Sequence, residues 1–291
     1  MNNFYLLSLS NENEKETTII SNLNSENNPF LRIDFDIRKI PYQGLNQANV
    51  SIYGLNPEGA PARYSKVAIE TQKKIKMSLE VGTDNQPTLI FNGNILEAQP
   101  DTVGLSPIFN MEGYEGLYNV ENTIAGFQIT KDATYSDLKK QLADRLGVNL
   151  VSNSINDNQK LQKDTSIDGA NIYEEFKNNF PKEEIYIDNN KIYTYDENYF
   201  KSLKGSSFSK YFLINEKNAI KRPKRKGQFI HIEILCNPSI TLNSLIQIEA
   251  EVDPYMKTFN KNYIVKGLRH HGYISYTDGS LLKSELELLN L

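Results

Sequence analysis

Residues 31–40 read LRIDFDIRKI, and their alternation decides the fold class. Leu31, Ile33, Phe35 and Ile37 fall on one side of an extended chain, and Arg32, Asp34, Asp36 and Arg38 on the other. Successive side chains of a strand point to opposite faces, so one set meets a core and the charged set faces away from it. Working outward, 49–55 (NVSIYGL) keeps the beat with Val50, Ile52 and Leu55, and 74–82 (KIKMSLEVG) with Ile75, Met77, Leu79 and Val81. TDNQP at 83–87 is a turn signal, after which TLIFNGNILEAQ (88–99) resumes the sheet. Strands joined by short turns with one covered face predict an antiparallel sheet or a small barrel. Residues 57–72, PEGAPARYSKVAIETQ, break the pattern and predict a short helix or ordered loop.

The periodicity changes after residue 132. SDLKKQLADRLG (136–147) places Leu138, Leu142 and Leu146 at a spacing of four, with Ser136 available as a cap and Gly147 as a stop. IDGANIYEEFKNNF (167–180) predicts a second helix ending before Pro181. EIYIDNNKIYTY (184–195) predicts a hairpin turning at Asp188-Asn189-Asn190-Lys191. LKGSSFSKYFLINEKNAIKRPKRKG (203–227) reads as a crossing loop. FIHIEIL (229–235), LIQIEAEV (245–252), NYIVKGLRHHGYI (262–274) and LLKSELELL (281–289) return to period two. The expected organisation is a first β-rich region over 1–125, a small α/β insertion over 126–200 and a second β-rich region over 201–291.

Composition narrows the chemistry. The 291 residues carry 32 lysines and arginines against 36 carboxylates, a net charge of −4, which argues against a general nucleic-acid binder. One cysteine, Cys236, excludes an internal disulfide, and three histidines leave little for a metal site. No apolar run reaches the roughly 18 residues of a membrane span, and the first residues lack the basic start of a secretory signal. Seventeen tyrosines and no tryptophan complete the picture.

Candidate chemical groups are few. His270-His271 would sit on opposite faces of a strand, so the pair is read as structural or as part of an interface rather than as a chelate. His231 reads as packed or solvent-facing, and Cys236 as a buried, inert thiol without a cationic neighbour. Lys221, Arg222, Lys224, Arg225 and Lys226 form a basic run around Pro223. That run suits either an anionic partner or the blunting of a sheet edge. No GxSxG, GxxxxGK[ST], HExxH or GxGxxG occurs, so no catalytic residue, cofactor or metal is assigned.

The order of the pieces resembles the baseplate hub proteins of tailed bacteriophages and related contractile injection particles. FDIRKI (35–40) with NQANVSIYGLNPE (46–58) is similar to that family's first hairpin, and KIKMSLEVGTDNQPTLIFNGNI (74–95) to its second, the Leu89–Ile95 stretch with Gly93 being the most specific part. TYSDLKKQLADRLGV (134–148), with the helix and hairpin after it, looks like the inserted α/β domain. LCNPSITLNSLIQIEAE (235–251), NYIVKGLRHHGYI and LKSELELL (282–289) look like the closing barrel. The chain departs from the pattern at Gly82-Thr83, at Asn243-Ser244 and at Tyr273.

The resemblance implies a mainly β fold in which two tail-tube-like antiparallel barrels flank the α/β domain. It also implies a non-enzymatic homotrimer whose ring joins a hexameric tail tube to a trimeric spike. The implied partners are a tube or tube-initiator protein, a spike or tip protein, and baseplate wedge and tape-measure proteins. The resemblance further implies no membrane anchor and contact with DNA only by its passage through the lumen. The implied location is the virion baseplate, assembled in the bacterial host cytoplasm. Arg32, Asp34, Asp36, Arg38 and the cations of 221–226 then become candidates for a lumen wall or an interface. Two other readings stay open: a tail-associated cell-wall hydrolase, and a module holding nucleic acid or another anion on the 221–226 loop.

Overall fold

The computed structural model describes residues 3–11, 16–23, 31–41, 44–54, 75–83, 86–103, 106–203 and 211–291. The helix or loop expected over 57–72 lies outside the described residues. The first strands are β1 (Asn3–Asn11), β2 (Glu16–Ser21), β3 (Ile33–Lys39), β4 (Gln47–Tyr53), β5 (Ile75–Thr83), β6 (Gln86–Val103) and β7 (Ser106–Tyr114). There follow α1 (Leu117–Asn122), β8 (Ile124–Ile129), α2 (Tyr135–Leu146), β9 (Asn149–Asn153), β10 (Thr165–Asn171), α3 (Ile172–Asn179), β11 (Glu183–Asp188), β12 (Lys191–Asp196) and α4 (Glu197–Ser202). The last part holds β13 (Phe212–Ile214), β14 (Ala219–Lys226), β15 (Phe229–Leu235), β16 (Leu245–Ile248), α5 (Pro254–Lys257), β17 (Asn262–Ile274) and β18 (Ser280–Asn290). The chain is mainly β with an α+β insertion, as expected.

Two compact units share these elements. The first comprises Met1–Ile40, Asn46–Tyr114 and Phe208–Leu291, and the second Pro41–Leu45 and Glu115–Ser207. In the first unit the strands run β14-β15-β18-β17-β3-β4-β7-β6-β5-β1-β2, with β13 and β16 joined beside β17. The β-rich stretches from both ends of the chain therefore meet in one sheet. Their seam is the antiparallel pairing of β17 with β3, which sets His270 opposite Ile37 and His271 opposite Asp36. Among the described residues the end strands β14 and β2 do not pair, so the sheet path stays open.

The alternation read in 31–40 is realised in β3. Ile33, Phe35 and Ile37 are buried in a core shared with Tyr5, Leu7, Leu79 and Phe91, each large apolar side chain adding roughly 1.5–3 kcal/mol on burial. Asp34, Asp36 and Arg38 stay at least partly exposed on the opposite face. Gly93 lies where a Cβ would stand 2.4 Å from the Tyr114 carbonyl oxygen and 2.7 Å from the Phe91 ring. Two strands pass too closely there for any side chain.

In the second unit, α2 starts at Thr134, whose hydroxyl accepts from the Asp137 amide while the Asp137 carboxylate accepts from the Thr134 amide. This reciprocal cap replaces the expected Ser136, which lies inside the first turn. Gly147, at φ 74°, ends the helix as expected. Leu138, Leu142 and Leu146 pack against Ile172, Phe176, Ile185 and Ile192. The second helix is shorter than expected, because Thr165–Asn171 form β10 against β8 and only Ile172–Asn179 are helical. β11 and β12 form the expected hairpin, with Asn189 at φ 50° and Asn190 at φ 62°. Two successive left-handed residues fit the tight turn that matches strand twist.

A further correction concerns the basic run. It is the strand β14, paired with β15, rather than a loop. Its lysines and arginines hide a strand because β14 ends the sheet path. The register slips between Lys221 and Lys224, and Pro223, which cannot donate to a ladder, is the buried residue of that bulge.

Candidate functional site

The outward face of β3 continues across neighbouring strands as a ladder of paired charges. Arg32 donates to Asp34 at 2.8 Å and to Asp278 at 3.1 Å, and its guanidinium lies 4.9 Å from the Tyr53 ring and 4.8 Å from the Tyr273 ring. The hydrogen bond to Asp34 raises its already high pKa, against the opposing effect of burial. Asp36 accepts from Arg38 and from Arg269, while Arg269 also reaches Glu285 at 3.1 Å. Burial alone would raise the Asp36 carboxyl, but the two guanidinium groups outweigh it and hold it at about 2.

The same face extends toward β14. Glu233 binds both Lys221 and Lys283, the latter at 2.8 Å. Burial favours its neutral form, yet these two cations lower its pKa. Arg222 donates to Asp253 at 2.7 Å. Between β14 and the end of β3 lies an open groove of about 440 Å³ whose lining includes Arg38, Lys221, Arg222, Lys224, His231 and Arg269. Arg38 of the first set of candidate residues thus faces one hollow with Lys221, Arg222 and Lys224 of the second. Arg225 does not join them: it stands opposite the buried Ile230 and lines a separate hollow with Phe259 and Tyr263.

The histidines divide as strand geometry requires. His270 is buried, with Nδ1 2.9 Å from the Ser284 hydroxyl and Nε2 3.3 Å from the Ile240 carbonyl. His271 points to the other face, 2.9 Å from Glu285, and His231 lies 3.8 Å from Glu287. Among the described residues no group of three or more histidine, cysteine or acidic side chains is placed to hold a metal ion. No described helix is long and apolar enough to cross a membrane.

The charge on this face changes from one margin to the other. On β14, Lys224 and Lys226 are exposed on this face and Arg225 on the other, and none of the three makes an ion pair among the described residues. The middle strands hold the paired ladder, and β4 contributes neutral groups, with Ser51 bonded to Asn110 and Gln47 to Glu112. On β6 and β7 the outward groups are acidic: Glu97 stands directly opposite Glu112, and Asp101 is exposed four pairs further along. Glu112 accepts from Gln47 and from Tyr114, and its bond to the phenol raises the Tyr114 pKa. Reading for motifs misses this acidic margin. Its signal is a charge silence, since no lysine or arginine occurs between Lys76 and Lys131 while Glu80, Asp84, Glu97, Asp101, Glu112, Glu115 and Glu121 do.

The fold, a large antiparallel sheet with an α+β insertion, is similar to that of solved phage-tail proteins. The chain resembles the 43 kDa tail protein of prophage MuSo2 from Shewanella oneidensis at a TM-score of 0.61 and 8% identity, covering 98% of this chain and 96% of that one. A tail protein from Neisseria meningitidis MC58 matches at 0.59 and 11% identity over the same shares. The Escherichia coli c3393 protein matches at 0.55 and 8% identity, over 91% of this chain and 75% of its own. That protein is described as a type VI secretion component with structural similarity to the T4 bacteriophage tail proteins gp27 and gp5. No curated protein matches the sequence. The family model for baseplate hub gp41 matches residues 16–272, and the chain belongs to that family. It is a structural protein of the phage-tail baseplate class.

Proposed function

We propose that the protein is the trimeric ring of the baseplate hub, with each protomer supplying two tube-like β segments around a central lumen. Three protomers then present six similar segments to a hexameric tail tube and three to a trimeric spike or tip. The spans 1–125 and 201–291 are the two tube-like parts, with 126–200 as the inserted α/β domain. The role is structural rather than catalytic, in a particle assembled in the bacterial host cytoplasm. Wedge and tape-measure proteins complete the expected contacts.

The observation that supports this reading is the ladder formed by Arg32, Asp34, Asp36, Arg38, Arg269 and Glu285. Its carboxylates and guanidinium groups satisfy one another, so a wall built from it is wet without being strongly basic. Phosphates passing such a wall gain little from counterion release and do not stick. Electron microscopy of the purified chain tests the reading, alone and with tube and spike partners. A threefold ring with a central channel is expected, and a strict monomer under every one of these conditions overturns it.

A further inference from the structure

We infer that neighbouring protomers of the ring join head to tail, the cationic margin at β14 of one copy seating on the acidic β6–β7 arm of the next. This rests on the trimeric reading above and names the surfaces that close it.

Both surfaces are margins of the same unit, and both are exposed. At one end of the strand path, Lys224, Arg225 and Lys226 project from β14 with no ion pair among the described residues. Within the path, β6 pairs with β5 only as far as Asn94, and beyond it, among the described residues, it pairs with β7 alone. That second half of β6 carries the exposed Leu96, Glu97 and Asp101, and neither carboxylate has an ion pair among the described residues. Glu97 faces Glu112 across the hairpin, and like charges in that position repel. An incoming cation from another copy relieves the repulsion.

The charge separation also selects the symmetry. Two copies meeting through the same margin would set lysines against lysines or glutamates against glutamates. A contact of unlike margins leaves one free margin of each kind, and such heterologous contacts close into rings when the rotation permits. The bulge at Arg222-Pro223 limits main-chain pairing along β14, so side-chain charge holds the contact. Blunting both edges against aggregation is the plainer use of these charges, and it predicts no effect on assembly.

The test is the solution mass of the full chain, by light scattering and sedimentation at low and high salt, with circular dichroism to show that each variant is folded. Lys224→Glu/Arg225→Glu/Lys226→Glu and, separately, Glu97→Lys/Asp101→Lys each weaken the trimer at least tenfold. The five substitutions combined reverse both margins and regain assembly to within a few-fold of the parent. A parent trimer that also persists in both single-margin variants overturns this inference and leaves the ring intact. A parent chain that stays monomeric at every concentration and salt, with and without tube and spike partners, overturns the trimeric reading and this contact with it.

Discussion

Arg269 holds Asp36 through two parallel hydrogen bonds, Nε to Oδ1 at 2.8 Å and Nη2 to Oδ2 at 2.9 Å, across 233 positions of sequence. The pair crosses the seam between β17 and β3, where the two ends of the chain join one sheet. A planar fork matches a carboxylate in a way that an ammonium does not. Replacing Arg269 by Lys is expected to lower stability by about 1 kcal/mol, the modest size reflecting the partial exposure of both groups. The acid limb should change as well. Asp36 titrates at about 2 in the fold against an ordinary value of 3.8. A lowered carboxyl contributes stability above its unfolded value and loses it as the pH falls through the folded one. Urea midpoints measured from pH 5 down to 2 should therefore fall less steeply in Arg269→Lys than in the parent.

Lys139 stands at the centre of an ionic cluster in the second unit. Its side chain is fully buried, with Nζ 2.7 Å from Asp157, 2.7 Å from Glu183 and 3.2 Å from the Ser152 hydroxyl. It also lies 4.9 Å from the Phe180 ring. Removing one member of a buried ionic group strands the others, which costs about 3–5 kcal/mol. Lys139→Met should reach that range in chemical unfolding, and adding Asp157→Asn with Glu183→Gln should recover much of it. A loss below 1 kcal/mol for the single variant would mean that water reaches the carboxylates.

These two pairs mark how far local pattern carries. The alternation of 31–40 and the Asn189-Asn190 turn were legible because strand periodicity and left-handed turns are properties of neighbouring residues. The helix at 135–146 was legible too, although its cap lay two positions earlier, because Asp137 returns a hydrogen bond to Thr134. Strand β10 was missed, since Asp168 and Gly169 sit in an irregular stretch of its ladder and mimic a loop. Of the site, the sequence showed the charged face of β3 but not what answers it. Arg269, His271 and Glu285 come from strands whose register with β3 exists only after folding. The tyrosines split likewise: Tyr5, Tyr173, Tyr186, Tyr195 and Tyr263 are core residues, whereas Tyr118, Tyr255 and Tyr276 are exposed.

Gly93 converts a family resemblance into a steric requirement. Any Cβ there would lie 2.4 Å from the Tyr114 carbonyl oxygen, a backbone atom held by the β6–β7 ladder. A backbone atom in a central ladder cannot rotate aside, so Gly93→Ala must open the pairing. The expected loss is about 2–4 kcal/mol, in the range reserved for strain in a packed core. Gly227→Ala is the control, since at φ 64° it meets backbone strain but nothing within 4 Å. Its cost should stay near 1 kcal/mol. Thermal melts of the two variants would separate crowding from strain, and equal losses would contradict the close approach at Gly93.

Cys236 should be chemically silent in the folded protein. Burial pushes its thiol up to about 11, a weaker hydrogen bond involving Ser284 acting in the other direction. Its sulfur lies 3.9 Å from Nδ1 of His270, which is itself held by Ser284 and the Ile240 carbonyl. Only the thiolate attacks an alkylating reagent. A rise from an ordinary 9.0 to about 11 reduces the thiolate at pH 8 by roughly 100-fold. Iodoacetamide at that pH should modify the native chain at least that much more slowly than the chain in denaturant. The stability arising from the neutral thiol is present below its unfolded value and lost as the pH rises through about 11, so slow native alkylation should give way at the alkaline end. Rapid modification of the folded protein at pH 8 would show instead that the thiol is solvated.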